Sequence, residues 1–297
     1  MRIVITGHKG QLGQALQKAL RAEKSGPTCG CQIVGLDLPE VDITDPMATI
    51  GAVTEAQPDV VIHTAAMTDV DGCERNPELA FRVNALGTHN VSLACRRARA
   101  AMVHVSTNEV FDGRLGRPYY EWDTPSPLSI YAQSKVAAES CVRTLLHRFY
   151  IVRTAWLYSR GGSNFVTRII AAADRQGALR LVTDEVSSPT YAPDLAEAMA
   201  RLILTEHYGI YHFTNSGFCS RYEWACKILE LSGRSQVRVE PITHDQWPRP
   251  APPPLYTPIV NLTGAALGIT LRPWEQALRD YFRLVLERSE GAEPCLW

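Results

Sequence analysis

Arg2-Ile-Val-Ile-Thr-Gly7-His-Lys-Gly10-Gln-Leu-Gly13 decides how the rest of the chain is read. Arg2–Thr6 is a short apolar, β-branched run ended by a glycine, which predicts a buried strand. Leu12, Leu16 and Leu20 then recur at helical spacing, so the three glycines fall between a strand and a helix. Glycines in that place let the backbone approach a pyrophosphate closely. The helix N-terminus adds unpaired N–H groups and a positive dipole end. The next strand, Gln32–Leu36, runs into Asp37, an acid placed to accept hydrogen bonds from ribose hydroxyls. Strand, glycine turn, helix and acid together predict a dinucleotide site at Gly7, Lys9, Gly10, Gln11, Leu12, Gly13 and Asp37. Asp37 repels a 2′-phosphate and leans toward NADH, whereas Lys9 inside the loop attracts one, so NADPH or NADH is expected. Asp42 and Ile43 are placed at the adenine edge, and Ala65 and Ala66 near the nicotinamide ribose.

Working outward, strands and amphipathic helices keep alternating. Pro58–His63 is a third strand whose Val-Val-Ile centre predicts burial on both faces. A helix is expected from Leu79 to about Arg99, with Ala80, Val83, Gly87, Val91 and Ala94 along one side. Ala101–Val105 is a strand, Tyr131 to about His147 a helix, and Tyr150–Ala155 a strand. Such alternation implies a parallel sheet with helices on both faces. Beyond about residue 155 the pattern loosens. A helix near 164–175, a short strand, the loop Ser187-Ser-Pro-Thr190, a helix from Pro193 to Leu204 and a strand at Gly209–Phe213 are expected. Residues 245–258 carry six prolines, which predicts an extended, lid-like segment without regular structure. Pro273 opens a last helix, with Leu278, Phe282 and Val285 on its apolar side, and a frayed tail is expected after about Arg288. The fold class is therefore α/β, a Rossmann-like doubly wound parallel sheet with a smaller C-terminal α/β substrate domain. Residues 1–155 and parts of about 185–213 are assigned to the dinucleotide-binding domain. About 156–184 and 214–297 are assigned to the substrate-binding domain.

The composition of the 297 residues agrees with this and narrows the partners. The chain is 45% hydrophobic and 21% charged, enough to bury a sizeable core. Thirty Lys and Arg against 31 Asp and Glu leave a formal charge of −1, so no overall field favours nucleic acid or anionic lipid. No apolar run reaches membrane-spanning length, and the first residues do not resemble a secretory signal. The eight cysteines, Cys29, Cys31, Cys73, Cys95, Cys141, Cys219, Cys226 and Cys295, include no Cys-x-x-Cys pair and read as reduced thiols of a cytoplasmic protein. The histidines are scattered, and no metal site is expected.

The second constellation is Tyr131-Ala-Gln-Ser-Lys135, which puts a phenol and an ammonium one turn apart on one helix face. Ser106-Thr107 follows the strand ending at Val105, so a hydroxyl emerges at the C-terminal edge of the sheet, where open parallel sheets bind ligands. Reducing a carbonyl needs a hydride for carbon and a proton for the developing alkoxide. Tyr131 can supply the proton, Lys135 is expected to lower its pKa and reach the ribose, and Thr107 can hold the substrate oxygen.

These motifs resemble the extended short-chain dehydrogenases/reductases, and within them the dTDP-4-dehydrorhamnose reductase group. The resemblance covers nearly the whole chain. It is carried by the glycine loop, Val105-Ser-Thr-Asn-Glu-Val-Phe-Asp-Gly113, Tyr131–Lys135, Arg153-Thr-Ala-Trp-Leu-Tyr158, Ser188-Pro-Thr190 and Arg272-Pro-Trp274. It implies NAD(P)H-dependent reduction of a 4-keto nucleotide sugar, with Thr107, Tyr131 and Lys135 as the catalytic set. Trp156 would pack against the sugar, Thr107, Asn108 and Glu109 would line its site, and Asn164 and Arg249 would contact the nucleotide part. Two departures stand out. The group usually carries Asp-Tyr where this chain has Asn108-Glu109. Related 4,6-dehydratases carry Asp-Glu there, so this chain keeps the Glu without the acid partner. Some members bind magnesium between subunits through carboxylates, and the matching positions are Ala15 and Pro193, which cannot ligate; monomer and homodimer are both open. Two other readings stay open on the residues. One is another sugar-nucleotide epimerase, dehydratase or ketoreductase. The other is a non-catalytic NAD(P)-binding regulatory subunit like that of methionine adenosyltransferase.

Overall fold

Four consecutive buried residues, Ile3 to Thr6, make β1 (Arg2–Thr6) a central strand. In the computed structural model, which describes residues 1–22 and 30–290, it lies between β2 (Gln32–Leu36) and β3 (Val60–His63). β4 (Ala101–Thr107) and β5 (Phe149–Thr154) continue the sheet on the β3 side, and a sixth strand, Gly209–His212, closes that edge. Every pairing is parallel. The chain leaves β1 toward β2 on one side and returns to β3 on the other. The strand order therefore reverses between β1 and β3, which opens a crevice at their carboxyl ends.

Helices cover both faces, as buried parallel strands require. On one face Leu12, Leu16 and Leu20 of helix α1 (Gln11–Ala22) pack with Leu195 and Met199 of the Ala192–Leu202 helix. On the other face Val53, Val91, Ala94 and Val142 come from three further helices. A separate apolar core gathers Tyr158, Val166, Ile169, Leu179, Trp224, Ile228, Leu278 and Phe282 from the later part of the chain. Beside it a two-stranded parallel ribbon joins Ala178–Val182 to Arg238–Ile242. No described helix is long and apolar enough to cross a membrane.

The expected elements are present, with instructive differences. The helix expected from Leu79 to about Arg99 runs as Pro77–Phe81, a π turn at Arg82–Leu86 and Gly87–Ala98. The wide turn brings Asn84 inward, where its side chain accepts from Met67 N at 2.8 Å and donates to Met67 O and Ser134 Oγ at 3.1 and 3.0 Å. Hydrophobic spacing cannot announce such a turn, because Ala80, Gly87, Val91 and Ala94 stay buried on either side of it. The helix Val70–Arg75 and the strand Arg238–Ile242 are additions to the sequence reading. The strand is mostly exposed and contains Pro241, a composition that masks a β pattern and suits a strand paired on one side only. The proline-rich 245–258 stretch is irregular apart from a 3-10 turn at His244–Gln246 at its start. Cys29 and Cys295, with the tail 291–297, lie outside the described residues; Cys73, Cys95, Cys141, Cys219 and Cys226 are thiols.

Candidate active site

The glycine loop sits at the point where the strand order reverses. Gly7 has φ +72°, and a Cβ there would stand 2.7 Å from Ala65 N, closer than any side chain tolerates. A Cβ on Gly13 would lie 2.4 Å from Gly7 O. The loop is thus pressed against β3 and α1 so tightly that hydrogen alone fits. What remains beside it is a cradle of backbone at the N-terminus of α1, whose first turn holds no acid. Two cavities of about 740 and 490 Å³ adjoin at this loop and share Gly7, Lys9, Gly10, Thr64 and Ala66. The larger takes in Gln11, Leu12, Gly13, Thr107, Tyr131 and Lys135, and the smaller Asp37, Asp42, Ile43 and Ala65. All residues expected to hold a dinucleotide line one cavity or the other. The two adjoining chambers meet at the glycines.

In the smaller cavity, Asp37 accepts from the backbone N–H groups of Lys9 and Leu38, both at 2.9 Å. The Lys9 ammonium pairs with Glu40 Oε2 at 2.9 Å and donates to Leu38 O at 2.6 Å. A positive and a negative group therefore share its rim.

Across the loop, β4 delivers Thr107 and the Ile130–Leu145 helix delivers Tyr131 and Lys135. That helix starts at Ser129, whose Oγ accepts from Ala132 N at 3.2 Å, and this cap fixes the first turn that carries the phenol. Tyr131 and Thr107 line the same cavity, and the Thr107 hydroxyl donates to Asn108 Oδ1 at 3.4 Å. Burial pushes the phenol well above its usual range, the Glu109 charge adds to this, and the neighbouring Thr107 side chain opposes it. Lys135 was expected to lower the phenol; instead its Nζ donates to Val105 O at 2.8 Å, and the charge that acts on Tyr131 is that of Glu109. Burial in turn lowers Lys135 to about 8, against the opposing pull of Glu139. Behind the site runs a buried polar chain absent from the sequence reading. Thr6 Oγ1 lies 2.6 Å from His63 Nδ1, His63 Nε2 lies 3.0 Å from Thr88 Oγ1, and Thr88 donates to Asn84 O. Asn84 then donates to Ser134, which donates to Tyr131 O at 2.7 Å. Burial holds His63 down to about 3, so the chain is neutral.

The expected substrate residues divide. Glu109 lines the larger cavity, as does Trp156, which takes a left-handed φ of +42° with the Arg221 guanidinium 3.7 Å from its ring centroid. Asn108 also borders the cavity, but it is 2% exposed and its amide donates to Ser187 Oγ at 3.1 Å and Thr257 Oγ1 at 2.8 Å. Its hydrogen bonds fasten the sheet edge to the proline-rich segment, so its amide is engaged while the residue borders the cavity. Asn164 caps the Phe165–Gln176 helix, donating to Ser159 O at 2.8 Å and Gln11 Oε1 at 3.3 Å, so it braces the cavity wall. Arg249 is set back from the cavity in an ion pair with Glu185 at 3.3 Å; burial raises the Glu109 carboxyl, and the Arg249 charge opposes that rise. Sequence reading missed Arg221, Phe165 and Trp224, which also line the larger cavity. Phe165 and Trp224 stack at 4.6 Å between centroids, and Arg221 is 3.7 Å from Glu185. One signal was available for Arg221. Ser220 and Glu223 form a reciprocal capping box, which places residue 221 at the first turn of a helix.

The same organisation is found in known proteins. A family model described as the RmlD substrate binding domain matches residues 1–286. The chain belongs to this family. Among its relatives, the spore coat polysaccharide biosynthesis protein SpsK of Bacillus subtilis is 36% identical over 98% of this chain and 99% of its own length. The dTDP-4-dehydrorhamnose reductase of Mycobacterium tuberculosis is 40% identical over 93% of this chain and 91% of its own. A crystal structure of dTDP-4-dehydrorhamnose reductase from Bacillus anthracis in complex with NADP superposes with a TM-score of 0.90 at 36% identity, covering 95% of this chain and 99% of that one. An RmlD-type chain thus carries Asn108 and Glu109 in the wall of this cavity.

Proposed function

We propose that this RmlD-family chain reduces the 4-keto group of dTDP-4-dehydrorhamnose to give dTDP-L-rhamnose, using NADPH or NADH. The observation that carries this reading is that Thr107, Tyr131 and Lys135 line one cavity with the glycine loop. The residues lining the two chambers would hold the dinucleotide, which when bound would supply the hydride for the keto carbon. Thr107 and Tyr131 hold the keto oxygen, and the Tyr131 hydroxyl protonates the alkoxide as it forms. Its raised pKa keeps the phenol protonated at neutral pH, so it starts the cycle as a donor. Lys135, charged below about pH 8, places a positive group behind the ribose side of the site. We assign cofactor binding to residues 1–155 with parts of about 185–213, and substrate binding to about 156–184 and 214–297. Trp156 and Glu109 are assigned to the sugar. The partner is a nucleotide sugar in the cytoplasm, and the active species is a monomer or a homodimer.

The test is oxidation of NADPH and of NADH, followed at the nicotinamide absorbance band, with dTDP-4-dehydro-6-deoxyglucose and a 3,5-epimerase supplying the keto sugar. Tyr131→Phe should cut turnover by about 10²- to 10⁴-fold while cofactor still binds. Cofactor binding without any turnover by the unaltered protein would remove the proposal.

A further inference from the structure

Glu109 is the one acid of the larger cavity, and its carboxylate makes no hydrogen bond or ion pair among the described residues. Only its backbone N–H is engaged, donating to Thr107 Oγ1 at 3.2 Å. Partly buried polar groups normally find partners, so an unengaged carboxylate in a cavity asks for a role. The groups around it are mixed. Arg249 and Arg221 attract its charge, Glu185 and Asp71 oppose it, and Tyr131 and Cys73 feel it. Burial is the largest influence and raises its pKa, which makes it a stronger base than a free carboxylate. Two residues earlier, Thr107 lines the same cavity as Tyr131, and these are the two hydroxyls assigned to the keto oxygen. A carbonyl held by two hydroxyls, with a free carboxylate on the same strand-end turn, is the arrangement that removes a proton from the carbon beside the carbonyl.

Resting on the reductase reading, we propose that the site has a second activity: Glu109 is the general base for exchange of a proton on the carbon next to the keto group. The Glu109 carboxylate takes the proton from carbon 3 or carbon 5. The C–H electron pair becomes the enolate double bond, and the carbonyl π pair moves to the oxygen, which Tyr131 and Thr107 stabilise. Reversal returns a proton from Glu109, exchanged meanwhile with solvent, to the same carbon. No redox partner takes part, so the step runs without hydride transfer.

The experiment incubates the full chain with NADP⁺ and dTDP-4-dehydro-6-deoxyglucose in D₂O and follows deuterium at the sugar carbons by NMR and mass spectrometry. The unaltered protein should incorporate deuterium beside the keto carbon well above the enzyme-free rate, and faster as pH rises and the carboxyl ionises. Glu109→Gln should slow exchange by about 100-fold, and Glu109→Asp should recover part of it. NADP⁺ affinity of each variant shows that the fold is kept. Exchange at the enzyme-free rate, or equal exchange in Glu109→Gln, overturns the proposal. Oxidation of NADPH by the same preparation without exchange defeats this inference alone, whereas failure of both defeats the reductase reading with it.

Discussion

The two halves of the cavity make binding surfaces by opposite means. Beside the sheet, the surface is backbone: glycines pressed against β3, a helix N-terminus and the open ends of parallel strands. In the later part it is side chain: Trp156, Phe165 and Trp224 with the Arg221 guanidinium laid against them. A backbone surface depends on what is missing at a few neighbouring positions. A side-chain surface depends on what is present at positions far apart in the chain. The first tolerates no added atom, and the second can lose one group and keep its outline.

That contrast orders the expected effects. The largest should come from Gly7→Ala, which must fit a methyl where Ala65 N stands 2.7 Å away and hold a φ of +72°. Strain of about 2–3 kcal/mol should weaken NADPH binding by roughly 30- to 100-fold and lower the melting temperature. Equilibrium dialysis and a thermal melt measure both, and unchanged affinity would break the claim that the backbone is the binding surface. Arg221→Ala comes next. Losing one charge-assisted contact of about 1.5–3 kcal/mol should raise KM for the nucleotide sugar by roughly 10- to 100-fold and leave cofactor affinity alone. A matching loss of cofactor affinity would mean that the halves are not separable. Asp37→Asn should act on the rim only, shifting the ratio of kcat/KM for NADPH over NADH upward by about tenfold, since a repulsion of about 1.4 kcal/mol is removed.

The smallest effect is one of pH. A lysine lowered by burial is an ammonium below its folded pKa and a neutral amine above it. With Lys135 at about 8 and the Tyr131 phenol pushed far higher, kcat/KM should be flat near neutrality and fall through pH 8 as Lys135 loses its charge. Lys135→Arg, which stays charged, should remove that alkaline limb if the variant folds. A limb that survives the substitution would assign the titration to another group.

The same contrast explains what the sequence discloses. Glycine spacing, the acid after β2 and Tyr131 four residues before Lys135 are local patterns, so the sheet, its reversal point and the residues at it are readable one segment at a time. Arg221 and Trp224 come to Trp156 across more than sixty residues, and no period links them. The π turn at Arg82–Leu86 is invisible for a different reason: it inserts Asn84 without disturbing the apolar stripe on either side. For Lys135 and Asn108 the sequence names the groups but not the neighbour each bonds: Lys135 donates to Val105 O, and Asn108 to Ser187 and Thr257.

Asn108 joins the sheet edge to the proline-rich segment by donating hydrogen bonds. A carboxylate in its place can only accept, and would have to be protonated to serve as donor. With an amide, the fastening works equally in acid and in base. It also leaves the cavity wall one negative charge lighter beside Glu109. The clasp is indifferent to the medium, and titration is left to the groups that line the open cavity.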